Sequence, residues 1–157
     1  MRKFLTKTLL AFAITTITAF GADNSLGTWK LNVEKSKYTP APFPIKSLTT
    51  VREAADGGVK VTTTGERADG TQVNTTYTAK YDGSESTVTG SGVLYDKVSV
   101  KQANANTLTD QRKKTGGSYQ ASSRTVISNG GKTMTVTVKG SNADGKAFTS
   151  SLVWDKQ

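Results

Sequence analysis

The chemistry open to this chain rests on carboxylates, arginines, hydroxyls and aromatic rings, because none of its 157 residues is histidine or cysteine. Without those two types there is no imidazole base, no thiolate nucleophile, no disulfide and no zinc ribbon. The acids are scattered, and many stand in turns such as Asp56-Gly57, Asp69-Gly70, Asp82-Gly83 and Asp144-Gly145. There, local hydrogen bonds to the backbone explain them. No two fall clearly on one inward face, so the carboxylate pair of a glycoside hydrolase is not indicated. Asp69-Gly70 and Asp144-Gly145 lack the ligand spacing of a calcium loop. No catalytic residue, metal ligand or cofactor is therefore assigned.

The basic residues are informative in bulk. Lys and Arg number 21 against 12 Asp and Glu, a formal charge of +9. The densest run is Arg112-Lys113-Lys114. Nucleic-acid binding needs interleaved aromatics or a charged face, and only Tyr119 is near, so this run reads as a solvated hairpin end. The positive charge still favours contact with an anionic envelope surface.

These side chains must be carried by strands. Threonine, a strand former, occurs 26 times, beside 15 glycines and only 3 prolines. Trp29, Leu31 and Val33 alternate with polar residues, as do Val73, Thr75, Tyr77, Ala79 and Tyr81, and later Phe148, Ser150, Leu152 and Trp154; a period of two is the signature of a half-buried strand. Glu34 to Lys46 holds all three prolines and reads as an extended crossing. Asp56-Gly57-Gly58, Asn104-Ala105-Asn106, Gly116-Gly117 and Asn129-Gly130-Gly131 punctuate the rest as turns. About ten short antiparallel strands result. Consecutive hairpins in one domain of this size suggest an up-and-down meander closed into an 8–10-stranded barrel, since closure removes exposed edges. A flattened two-sheet sandwich is the structural alternative.

A repeat supports the meander. Shifted by 75 residues, Thr50 to Ala79 falls on Thr125 to Trp154. Thr50-Val51, Val61-Thr62, Gly65 and Ala68-Asp69-Gly70 then meet identical residues.

The first 21 residues have a different character. Arg2, Lys3 and Lys7 precede an apolar and threonine stretch from Leu9 to Phe20, closed by the small-x-small triplet Ala19-Phe20-Gly21. This is the pattern of a signal peptide, with an h-region too short to span a bilayer. The expectation is export to the periplasm or beyond, cleavage before Ala22, and a barrel domain over residues 22–157 carrying a charge of +6.

Gly27-Thr28-Trp29-Lys30-Leu31, opening that domain and followed only by strands, resembles the first strand of the calycin group, which holds lipocalins, intracellular fatty-acid-binding proteins and avidins. Trp29 to Asn32, Lys35-Ser36, Tyr77 to Gly83 and Gly131 to Thr137 resemble more specifically a type of small secreted bacterial lipocalin-like protein. That resemblance implies a barrel and an exported compartment. In lipocalins a late-strand arginine stacks on the first-strand tryptophan. Arg124 is the candidate here, with an inward anion anchor or a plain surface arginine as the other readings. Fatty-acid-binding proteins insert two helices after the first strand and end on an Arg-x-Tyr anchor. Here the first segment is short and proline-rich, and the matching positions are Leu152 and Trp154.

The candidate cavity residues are Trp29, Tyr77, Tyr81, Arg124, Phe148, Leu152 and Trp154. A tyrosine offers an apolar ring and a polar tip, suited to a small apolar or amphipathic ligand. Core filling is the competing role for each of them. The expected function is a monomeric, non-catalytic binding barrel. The alternative is an envelope interaction protein with a filled barrel and a basic outer surface.

Overall fold

A computed structural model describes residues 21–157. The expected export segment lies outside them apart from Gly21. Eleven strands form one antiparallel sheet: β1 (Gly27–Thr39), β2 (Ile45–Ala55), β3 (Gly58–Arg67), β4 (Gln72–Lys80), β5 (Asp82–Thr87), β6 (Thr89–Ser91), β7 (Lys97–Asn104), β8 (Thr107–Lys113), β9 (Gln120–Ser128), β10 (Thr133–Ser141) and β11 (Ala147–Lys156). A single 3-10 turn at Asn129–Gly131 is the one helical element among the described residues.

The up-and-down order runs β7 to β11, then through β1 to β4, because β11 pairs with β1. The seam is closed by one stretch of chain. β5 pairs with β7 and β6 pairs with β4, with Val88 between them. The barrel is thus nearly closed, and no ladder joins β4 directly to β7. The count exceeds the expected eight to ten because the chain from Asp82 to Ser91 changes partner midway and is split in two.

The proline-rich crossing is shorter than the sequence suggests. β1 continues to Thr39 and pairs again with β11 after an irregularity between Asn32 and Lys37. Ser36 holds that bulge, its Oγ donating to Asn32 O at 2.7 Å and accepting from Val153 N at 3.0 Å. Asn32 Nδ2 donates to Asp155 Oδ2 at 2.8 Å. Five residues of β1 here span two of β11; an odd number of extra residues flips the pleat, so Val33 is exposed while Trp29 and Leu31 are buried.

The repeat is structural. β2, β3 and β4 recur 75 residues later as β9, β10 and β11, and the β3–β4 register returns unchanged in β10–β11. The β9–β10 register differs by two residues because a longer turn at 129–132 replaces the tight turn at Asp56-Gly57. A shift of two keeps every side chain on its own face.

Two apolar clusters pack inside the barrel. One surrounds Trp29, Leu31, Met134, Val136 and Trp154; the other surrounds Val98, Val100 and Leu108. Tyr95 packs against both. Burial of each such side chain contributes about 1.5–3 kcal/mol.

Candidate functional site

Between the two clusters lies a cavity of about 200 Å³. Its wall is mostly apolar, with Val61, Val73, Val100, Leu108, Met134, Val136 and Leu152 among its residues. A row of hydroxyls interrupts it. Thr50 faces Thr63, and Thr63 faces Thr75, across β2, β3 and β4; all three reach the cavity, and Thr63 Oγ1 donates to Thr50 Oγ1 at 3.1 Å. One residue pair along, the same strands bring Arg52, Val61 and Tyr77 into a second cavity row.

The opposite wall carries charge. Leu108, Asp110 and Arg112 alternate inward along β8. Arg112 clasps Asp110 with two hydrogen bonds, and the Asp110 carboxylate also accepts from Ser123 Oγ, its partner directly across on β9. Burial by itself would pull the Arg112 pKa down, but the adjacent Asp110 carboxylate and the neighbouring tyrosines outweigh it and hold the guanidinium charged. Its carbon centre sits 5.3 Å from the Tyr95 ring centroid, within cation–π range. Tyr95 starts an aromatic series that runs through Tyr119 and Phe148 to Tyr38 at centroid spacings of 5.9, 6.0 and 5.6 Å.

Of the residues singled out from the sequence, Tyr77, Leu152 and Trp154 stand in the cavity wall. Burial pushes the Tyr77 phenol up to about 12, so it is neutral and available as a hydrogen-bond donor. The Trp154 indole N–H is buried and meets no protein acceptor. The other four are elsewhere. Trp29 is completely buried, donates from Nε1 to Ser25 O at 2.8 Å and packs under Lys156, whose Nζ is 5.1 Å from the ring centroid. Tyr81 is bound to Asp23, and burial together with that carboxylate raises its pKa. Phe148 belongs to the aromatic series rather than the wall.

Arg124 corrects an expectation. It lies exposed on the outer face of β9, because Ser123 and Thr125 take the inward phase. It neither stacks on Trp29 nor reaches the cavity; Lys156 occupies the tryptophan face instead. The inward arginines are Arg52, Arg67 and Arg112. Reading Arg112 as part of a solvated run missed the signal, which is its place in the alternating series Leu108, Asp110, Arg112. Lys113 and Lys114 do remain exposed.

No protein-family model matches the chain, and no curated protein does. Solved structures do resemble it. A zebrafish ileal bile acid-binding protein complexed with cholic acid has a TM-score of 0.52 and 17% identity, covering 86% of this chain and all of the other. The S-type phycobiliprotein lyase of Guillardia theta has a TM-score of 0.50 and 10% identity, covering 85% and 89%. At such identities the likeness is one of fold: the chain forms a lipocalin-like, calycin-type barrel.

Proposed function

We propose that this chain is an exported, non-catalytic binding protein that holds a small amphipathic molecule inside its barrel. The observation that carries the reading is the cavity, a preformed apolar space with a few convergent polar groups, the usual composition of a small-molecule site. Its volume of about 200 Å³ falls below the roughly 300–1,000 Å³ of sites for drug-sized ligands, so the ligand is a small one. The similar zebrafish barrel is complexed with cholic acid, which supports use of this architecture for ligand binding. Export rests on the basic and apolar pattern of residues 1–21.

The test is native mass spectrometry of protein purified without denaturation from an exporting host, with extraction and identification of any adduct. A reproducible small-molecule adduct, absent from Val136→Trp, whose indole would occupy the cavity, is the expected result. N-terminal sequencing of the same material reads the cleavage point, expected before Ala22. A clean unliganded mass, with no thermal shift from any lipid or small-molecule panel, would end the binding reading.

A further inference from the structure

Resting on that reading, we infer that the ligand is a small organic monoanion whose negative group is received by Arg52. Three guanidinium groups and one carboxylate line the cavity. The carboxylate is taken: Asp110 is clasped by Arg112 and capped by Ser123. Arg52 forms no salt bridge with any carboxylate among the described residues. The Asp23 carboxylate near Ser25 is engaged by Ser25 N and the Tyr81 hydroxyl, and a cation held partly out of water with no carboxylate in contact is costly. An anion arriving in the cavity removes that cost.

Arg52 is also held in place for such a role. Its Nε donates to Ser25 Oγ at 3.1 Å. Ser25 is 1% exposed, and its carbonyl accepts from Trp29 Nε1. The serine thus ties Arg52 to the fully buried tryptophan and leaves the terminal nitrogens for a ligand. A guanidinium so oriented suits the planar, two-oxygen geometry of a carboxylate. Tyr77 lies two strands away in the same cross-strand row, and its phenol, kept neutral, supplies a second donor. Most of the remaining wall is apolar, interrupted by the threonine row and by Arg67, so a hydrophobic body attached to the anion is accommodated.

The experiment is calorimetric titration of the purified protein with 3-phenylpropionate and with its neutral isostere 3-phenylpropionamide. The acid should bind at least tenfold more tightly than the amide. Arg52→Met should abolish that preference while leaving the affinity for the amide unchanged. Arg52→Lys, which keeps the charge, should retain part of the preference and guards against a folding defect in the methionine variant. Equal binding of acid and amide, or a preference that survives in Arg52→Met, overturns the inference while the binding reading stands. If neither compound binds, the inference fails, and the adduct seen or not seen by native mass spectrometry decides the binding reading separately.

Discussion

Arg112 Nε donates to Asp110 Oδ1 at 2.7 Å, and Arg112 Nη2 to Asp110 Oδ2 at 3.1 Å, between residues two apart on one strand. The pair faces the interior of the barrel, with the side chains 20% and 11% exposed. Two charges so placed are stabilising only as a set, because each alone would be stranded in a poorly solvated space. Asp110→Ala is expected to cost about 3 kcal/mol, the low end for an uncompensated buried charge. The double change Asp110→Leu with Arg112→Leu is expected to cost less than either single change. Urea denaturation of the three variants measures both; a double variant as unstable as the sum of the singles would mean the two residues do not act as a pair.

Most of the architecture was legible in the sequence because period-two alternation and Asp-Gly turns are local signals. The strand phases of Val73 to Ala79 and of Phe148 to Trp154 hold as the alternation implies. The failures have physical reasons. Val33 looked inward, but Ser36 stabilises a bulge that resets the phase, and a side-chain hydrogen bond to the backbone leaves no mark on hydropathy. Arg112 looked solvated because two lysines follow it, whereas its spacing from Leu108 places it inside. Arg124 was chosen by analogy, and the inward serine and threonine beside it gave too weak an apolar contrast to correct the choice. The partner change at Val88 depends on pairing between distant strands, which no local pattern encodes. The seven candidate residues suffered likewise: alternation says which residues point in, not which of them border open space.

The repeat makes Gly65 and Gly140 a controlled comparison. A Cβ at Gly65 would lie 2.1 Å from Ser47 O, and one at Gly140 would lie 2.1 Å from Gln120 O. Both strands would have to part from their neighbours. Gly65 alone also has a positive φ, +150°, which disfavours any side chain. Gly65→Ala should therefore destabilise most, by about 2 kcal/mol or more, given roughly 1–3 kcal/mol for a strained backbone position. Gly140→Ala should follow. Gly70→Ala, where φ is +86° but the space is open, should cost about 1 kcal/mol. Thermal melts of the three variants test the order; Gly70→Ala proving the worst would overturn the close-contact argument.

Alkaline stability should report on the tyrosines. Burial raises the Tyr77 and Tyr119 phenols to about 12, above the usual 10, and burial with Asp23 beside it raises Tyr81 as well. The unfolded chain therefore loses these protons first as pH rises. The stabilising contribution of the neutral phenols is complete below pH 10 and is lost progressively between pH 10 and about 12. Ultraviolet titration should show Tyr77, Tyr81 and Tyr119 ionising late, with unfolding overtaking them. In Tyr77→Phe the fall in stability across that window should be shallower. An unchanged slope in that variant would place its phenol in contact with bulk water.

The two tryptophans bring the hydrogen-bond argument to a direct test. Trp29 is 0% exposed, and its N–H is satisfied by Ser25 O at 2.8 Å. Trp154 is 6% exposed, and its N–H has no protein acceptor. Phenylalanine removes the N–H from either site and shortens the ring. At position 29 the change also strands the buried Ser25 carbonyl and loosens the segment that holds Arg52. Leaving a buried partner unsatisfied costs about 1–3 kcal/mol, so Trp29→Phe should lose about 2 kcal/mol or more once the lost ring area is included. At position 154 nothing is stranded, and an unsatisfied donor disappears. The gain offsets the smaller ring, so Trp154→Phe should fall within about 1 kcal/mol of the parent. Urea unfolding followed by circular dichroism separates the two. Equal losses would mean that ring area alone sets the energetics at both positions, and that Ser25 does not anchor Trp29 through its carbonyl.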